Sequence, residues 1–203
     1  MTFGIIPACG HSTRMGRPKL SLPLGDRTVI EHVVRALLDG GVEGVLVVVG
    51  PHVPELESLA MRAGARVLTF SEPTPDMRAT VEAGLDWLES HFRPAADDWW
   101  LLAPGDHPTL APATVRTLLD AARADAGHSI FVPAWGGRRG HPLMASWRHA
   151  AGVRALPPGE GVNSYLKRNP EAVREVVVTD VSGLHDLDTP DDYARLLRHD
   201  SNG

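Results

Sequence analysis

Short, almost wholly apolar runs alternate along the chain with longer stretches of helical period. Residues 3–6 form a short apolar segment, and VLVVVG (45–50), ARVLTF (65–70), WWLLA (99–103), SIFVP (129–133) and VREVVVTDV (173–181) are further runs of strand length. Continuous apolar runs of this length suit strands covered on both faces. Between them, residues 29–41, 52–64, 77–92, 113–127, 161–170 and 189–200 place apolar residues at helical spacing. Start signals agree with these limits. Thr28 precedes Glu31 by three, as a capping box requires; Asp76 precedes the third helix; Pro190 falls in the first turn of the last.

Strand and helix alternation predicts an α/β fold: a mostly parallel, Rossmann-like sheet with helices on both faces. Ligands of such sheets sit beyond the carboxyl ends of the strands, so the loops that follow strands are where chemistry is expected. The 203 residues suit one domain, 1–203. Its less regular part, about 133–170, includes the glycine-rich AWGGRRGHP, read as a loop.

Composition narrows the function classes. The net charge of −5 argues against a general nucleic-acid binder. A single cysteine, Cys9, allows no internal disulfide, in keeping with a reducing cytoplasm. No basic segment precedes a long apolar run in MTFGIIPACG, and no apolar run approaches eighteen residues, so neither a signal peptide nor a membrane span is expected.

Charge placement says more than the total. No acid occurs before Asp26, yet Arg14, Arg17 and Lys19 lie in PACGHSTRMGRPK, the loop after the first strand. Lys19 is one of two lysines, against 18 arginines. Gly10 and Gly16 permit tight turns, and backbone N–H groups in such a loop can cradle phosphate oxygens, with Arg14 and Lys19 as charged donors. The bland alternative is a surface loop with solvated arginines. Neither a P-loop nor a GxGxxG dinucleotide fingerprint is present.

Two acidic stretches complement this loop. Asp106 follows WWLLAPG, and Asp186 and Asp188 lie in HDLDTPDD. Residues two apart in an extended segment point the same way. Asp106 and Asp188 are read as flanking one Mg²⁺ on a triphosphate, since Mg²⁺ takes one or two carboxylates plus substrate phosphates. They can equally be turn and helix-cap residues, as Asp191 and Asp192 are read to be.

The ordered set PACGHSTRMGRPK, PGDHPTL, GGRRGHPL and HDLDTPDDY resembles the motifs of MobA-like nucleotidyltransferases, most closely the branch of molybdenum cofactor cytidylyltransferases, over about residues 3–198. The resemblance implies a glycosyltransferase-A-like nucleotidyltransferase fold. It implies an enzyme that uses Mg²⁺ to move a nucleoside monophosphate from an NTP, CTP favoured, to a phosphorylated acceptor such as molybdopterin, with release of pyrophosphate. It places Ala8, Cys9 and Gly10 on the base and ribose side, with Thr80 and Gly84 near the base. Arg14 and Lys19 become the catalytic phosphate contacts, Asp106 and Asp188 the metal ligands, and Gly140 and His141 the acceptor side; Arg138, with Arg139, is read apart from the resemblance as a contact to acceptor phosphate or as a solvated residue. A molybdoenzyme maturation partner would follow from that acceptor.

The chain departs from the family pattern at Pro7, Cys9, Arg78 and Asn163, which bears on the acceptor more than on the fold. A sugar phosphate or other small phosphorylated acceptor is one alternative, and a non-catalytic nucleotide-binding accessory factor is another. Cys9 and His11 lack the remaining ligands of a zinc site, and Cys9 is read as a small packing residue. His107, His141 and His185 stand in candidate site loops. Trp99 and Trp100 are read as core, and Trp135, beside Arg138 and Arg139, as a loop anchor or a stacking surface.

Overall fold

The computed structural model describes residues 1–179 and 187–200. The chain opens with β1 (Thr2–Ala8) and runs through a single 3-10 turn, Thr13–Met15, into a small ribbon of β2 (Pro23–Leu24) and β3 (Arg27–Thr28). Then come α1 (Val29–Asp39), β4 (Gly44–Val49), α2 (Glu55–Arg62), β5 (Arg66–Thr69), α3 (Met77–Phe92), β6 (Trp99–Leu102) and α4 (Pro112–Ala124). The remainder is β7 (Ile130–Trp135), β8 (Arg138–Arg139), β9 (Leu143–Ser146), α5 (Ala150–Arg154), α6 (Val162–Arg168), β10 (Val173–Val177) and α7 (Pro190–Asp200).

Among the described residues, eight strands make one sheet in the order β10, β7, β9, β6, β1, β4, β5, with β8 beside β7. The pairs β1–β4, β1–β6, β4–β5 and β7–β10 are parallel. β9 is antiparallel to both neighbours, β6 and β7. The sheet is therefore mostly parallel, as the alternation predicts, with two reversed strands, β8 and β9, that it does not. The glycine-rich segment is a hairpin rather than a loop. Gly136 and Gly137 both take positive φ, 55° and 78°, and Trp135 pairs with Arg138 across them. A two-residue turn with both central φ values positive matches the right-handed twist of the strands it joins, and glycine adopts it freely.

Every residue of β1 is buried, and its side chains alternate between two cores. Ile6 and Ala8 join the core under α1, α2, α4 and α7, while Phe3 and Ile5 join the one under α3, α5 and α6. Period-two alternation into two apolar layers is what a central strand requires. Pro7 fits here because of register. Ile5 accepts from Ala103 on the β6 side, so Pro7, two residues on, faces the side where β6 pairing has ended. Its missing N–H has no ladder partner to forsake.

The caps read from the sequence are in place. Glu31 accepts from the Thr28 backbone N–H at 2.8 Å and from its hydroxyl at 2.6 Å, and Asp76 accepts from the Ala79 N–H at 2.7 Å. Trp100 is fully buried, and Trp99 meets Phe131 edge-on with ring centroids 5.6 Å apart, so both belong to the packing of the sheet.

Asp125 ties the end of α4 to β10 at the sheet edge. It accepts from the backbone N–H groups of Gly127 (2.8 Å) and His128 (3.2 Å) and from Arg174 (2.8 Å). The Gly127 N–H, opposed by desolvation and helped by Arg174 and His128, holds its carboxyl below the ordinary 3.8. A depressed carboxyl stabilises the fold above its unfolded value and loses that contribution as pH falls towards its folded value. Asp125→Ala is expected to lower the thermal midpoint at pH 7, with the gap from the parent narrowing as pH is taken below about 3.8. A gap independent of pH in thermal melts would contradict this account.

Candidate active site

Three segments meet at the carboxyl ends of β1 and β6: the basic loop after β1, the turn after β6, and the lead into α7. Together they line an open cleft of about 250 Å³ that includes Ala8, Gly10, Arg14, Lys19, Asp106 and Asp188. Within it the Lys19 ammonium lies 2.6 Å from Asp106 Oδ2 and 3.0 Å from Asp188 Oδ1. Arg14 Nη1 lies 2.7 Å from Asp188 Oδ2. Two cations and two carboxylates thus alternate in one chain of contacts.

Each partner is held from behind. Ser12, with left-handed backbone at φ 50°, accepts the Lys19 N–H at 3.2 Å through its hydroxyl. Leu20 and Leu22 then accept from Ile30 and Val29 at 3.0 Å, which fastens the loop to the start of α1. Gly105, beside Asp106, admits Leu20 so closely that a Cβ there would sit 3.2 Å from its side chain. The basic loop and the β6 turn are drawn together by that contact. On the third side, Leu187 is fully buried and its N–H donates to the Asp106 carbonyl at 2.9 Å. Asp188 and Asp106 are therefore joined through main chain as well as through Lys19.

Asp192 fixes the turn that carries Asp188. One of its carboxylate oxygens accepts from the Asp188 N–H (3.2 Å), the Thr189 N–H (2.8 Å) and the Thr189 hydroxyl (2.7 Å). The Thr189 hydroxyl, with these backbone donors and Arg195 outweighing burial, lowers its pKa to about 2. α7 is in turn docked on the first loop. The Tyr193 hydroxyl donates to the Pro23 carbonyl, and the Arg17 guanidinium lies over the Tyr193 ring at 5.2 Å.

The electrostatics follow from these contacts. Burial works against a charged Lys19, but the hydrogen bonds and charges of Asp106 and Asp188 prevail and raise its pKa above the ordinary value. Asp188 is lowered, first by the Lys19 hydrogen bond, against burial, and then by the charges of Lys19 and Arg14. Both groups stay ionised near neutral pH. Since one ammonium reaches both carboxylates, the donor set suits a single shared cation. Among the described residues no three His, Cys, Asp or Glu are grouped to hold a metal. A carboxylate pair is still sufficient for a hard cation that keeps waters and takes phosphate oxygens.

The remaining candidates distribute unevenly. Cys9, Gly10 and Thr80 line a second hollow that shares Pro7, Gly10 and Met77 with the cleft. Cys9 is half-buried, burial raises its thiol pKa, and its Sγ lies 3.4 Å from the Val48 carbonyl. Gly84 lines neither hollow. It faces the sheet, where a Cβ would stand 3.0 Å from Ile5 and 3.4 Å from Val48, so it sets how closely α3 approaches β1 and β4. His141 meets the buried His107 edge-on, centroids 5.4 Å apart, and His107 Nε2 lies 3.8 Å from Asp106 Oδ1. The segment after β8 thus reaches Asp106 through two imidazoles. Gly140 donates to the Pro133 carbonyl at 2.8 Å at the base of the hairpin, while Arg138 and Trp135 are exposed at its end. Asp186 and His185 lie outside the described residues.

Sequence reasoning passed over three residues of this region. Ser12 was present in the quoted motif itself. Met77, 60% exposed, lines both hollows, and His52 touches Gly10 from the turn after β4. Neither of the last two has a local sequence signal.

Comparison with known proteins bears on the whole arrangement. Nicotine blue oxidoreductase of Paenarthrobacter nicotinovorans is 28% identical over 200 residues, 96% of this chain and 95% of that protein. The 2-C-methyl-D-erythritol 4-phosphate cytidylyltransferase of Ralstonia nicotianae is 32% identical over 134 residues, which are 63% of this chain and 53% of that enzyme. Among solved structures, Rv0371c of Mycobacterium tuberculosis superposes with a TM-score of 0.81 at 28% identity, covering 97% of each chain. Its complex with manganese gives 0.76 at 26% identity, again over 97% of each. The model of the MobA-like NTP transferase domain matches residues 4–173, and with the fold and the basic loop after β1 this shows that the chain belongs to that nucleotidyltransferase family.

Proposed function

We propose that the protein is a Mg²⁺-dependent nucleotidyltransferase that moves a nucleoside monophosphate, CMP before others, from an NTP to a small phosphorylated acceptor. The observation that carries this reading is the alternation of Arg14, Asp188, Lys19 and Asp106 in one cleft beyond the strand ends. Such a cluster offers cationic donors to phosphates and carboxylates to a metal from the same place.

In this reaction an acceptor phosphate oxygen bonds to the α-phosphorus of the NTP. The bond from the α-phosphorus to its bridging oxygen breaks, and pyrophosphate leaves with the electron pair. The acceptor is already ionised, so no side chain has to remove a proton. The chief obstacle is repulsion between two anions. A metal held by Asp106 and Asp188 would neutralise part of the phosphate charge and orient the α-phosphate. Lys19 stabilises the charge that grows on the transferring group, and Arg14 steadies the departing phosphates. When phosphates reach Lys19 they replace its present acceptors, which frees Asp106 and Asp188 for the metal.

Ala8, Cys9, Gly10 and Thr80 take the nucleoside side. Gly10 suits a close approach, because a Cβ there would meet no atom within 4 Å. Gly84 acts one layer back, by seating α3. On the acceptor side His141 positions the phosphorylated substrate next to Asp106, with Arg138 and Gly140 on the hairpin that carries it. The cytidylyltransferase relative supports CTP and a phosphorylated alcohol as the first pair to test, with molybdopterin and sugar phosphates as further acceptors.

A second reading, redox chemistry on an organic substrate, is favoured by one observation: the relative matched over nearly its full length is named an oxidoreductase. Release of pyrophosphate, screened over NTPs and phosphorylated acceptors, distinguishes it from oxidation of a reduced nicotinamide. Tight NTP binding with no turnover on any acceptor would instead favour an accessory role.

Lys19→Ala is expected to fold and to lose about a hundredfold in turnover, the usual cost of removing one well-aimed charged donor. Asp106→Ala is expected to fold and to lose its metal-dependent rate. Normal metal-dependent pyrophosphate release by either variant would contradict the assignment. Lys19→Met is also expected to bind Mn²⁺ more tightly than the parent when no nucleotide is present, since the competing ammonium is gone. Unchanged Mn²⁺ affinity in a titration followed by electron paramagnetic resonance would contradict the shared-cation geometry.

A further inference from the structure

The phosphate end of the cleft is supplied with charge, but the second hollow is of a different character. It has a volume of about 200 Å³, its lining is mainly apolar, and His11 stands at its edge with Cys9, Thr74, Met77 and Thr80. His11 is exposed, yet its ring is not left to move alone. It stacks on His52 with centroids 4.1 Å apart and planes inclined by 26°.

His52 is tightly constrained. Its Nε2 lies 3.0 Å from the Gly10 carbonyl, so that nitrogen carries the proton and donates. Its ring edge lies against Gly50, where a Cβ would come within 2.8 Å of Cε1 and 3.0 Å of Nδ1. Nδ1 is buried without a hydrogen-bond partner. An unpaired buried acceptor is a cost, and the fold accepts it with the ring flat against His11. The stacked pair joins the turn after β4 to the loop after β1, immediately beside the Gly10 backbone that both hollows share.

We propose that His11 is the surface on which the nucleobase stacks, and that His52 is the positioning residue that holds the His11 ring in plane for it. A base resting on His11 would extend a two-ring stack to three. Aromatic stacking of this kind is tolerant of base identity, because every base presents a π-face. Met77, exposed at the start of α3 and lining the same hollow, offers a polarizable thioether to the same ring. Thr74 and Thr80, whose hydroxyls lie 2.9 Å apart, supply the polar edge.

This inference rests on the nucleotide reading of the cleft, and calorimetry with two ligands keeps the two apart. The wild-type protein, with Mg²⁺, is titrated with CTP and with inorganic tripolyphosphate, which has phosphates but no base. His11→Ala is expected to weaken CTP about tenfold and to leave tripolyphosphate unchanged, and His11→Phe to restore CTP binding. His52→Ala is expected to lose most of the same increment, and His52→Phe, which keeps a ring behind His11, to retain it. If wild type binds CTP more tightly than tripolyphosphate but His11→Ala does so equally, the stacking role is overturned while the nucleotide reading stands. If wild type shows no preference for any NTP over tripolyphosphate, both are overturned.

Discussion

One ammonium shared by two carboxylates organises this end of the molecule. Lys19 comes from the loop after the first strand, Asp106 from the turn after the sixth, and Asp188 from the segment entering the last helix. Two carboxylates brought this close repel unless a cation stands between them. The lysine therefore does two jobs. It permits the acids to converge, and it keeps a positive charge in the cleft, the one that the proposed reaction would offer to phosphates. Arg14, more exposed, extends the same alternation outward.

The rest of the fold makes that convergence inexpensive. β1 and β6 are adjacent parallel strands, so their carboxyl ends open on the same side. β6 stops at Leu102, pairing with β1 no further than Ile5, and the freed space receives Asp106 and the loop after β1. α7 returns to the beginning of the chain through the contacts of Tyr193 with Pro23 and Arg17, Leu187 ahead of it ties to Asp106, and Asp192 sets the backbone from which Asp188 projects. The protein's first and last described elements thus close on one site. That also explains why the hairpin of β7 and β8 can stand apart. Its exposed Trp135 and Arg138 take no part in holding the carboxylates, whereas His141 at its foot touches the site through His107.

How much of this the sequence discloses depends on whether the signal is local. The strands β1, β4 and β6 are legible because a strand buried on both faces has to be apolar throughout, and VLVVVG has no competing period. The basic loop is legible from its own composition. β9 is not: four residues, two of them small or polar, give no alternation to read, and its insertion between β6 and β7, which both precede it, is a matter of sheet order. The Gly136–Gly137 turn was visible as glycine but not as a hairpin, because two paired residues of β8 are too few to show a strand period. Asp106 and Asp188 could each be marked as a carboxylate in a post-strand loop or a helix entry, yet their meeting across 82 residues depends on the tertiary docking of the last helix beside the β6 turn. Gly84, matched by motif, occupies a position where α3 packs closely on the sheet, which its local sequence does not reveal. His52 carried no sign at all, since its importance lies in a ring contact with another loop.

The most direct test of the central claim is a crystal structure grown with Mn²⁺ and a non-hydrolysable CTP analogue, with the metal located by its anomalous signal. The account predicts the metal between Asp106 and Asp188, touching the triphosphate, and the Lys19 nitrogen turned from the carboxylates to a phosphate oxygen. A nucleotide bound with its phosphates and metal remote from these two acids, and Lys19 still joined to both, would contradict it.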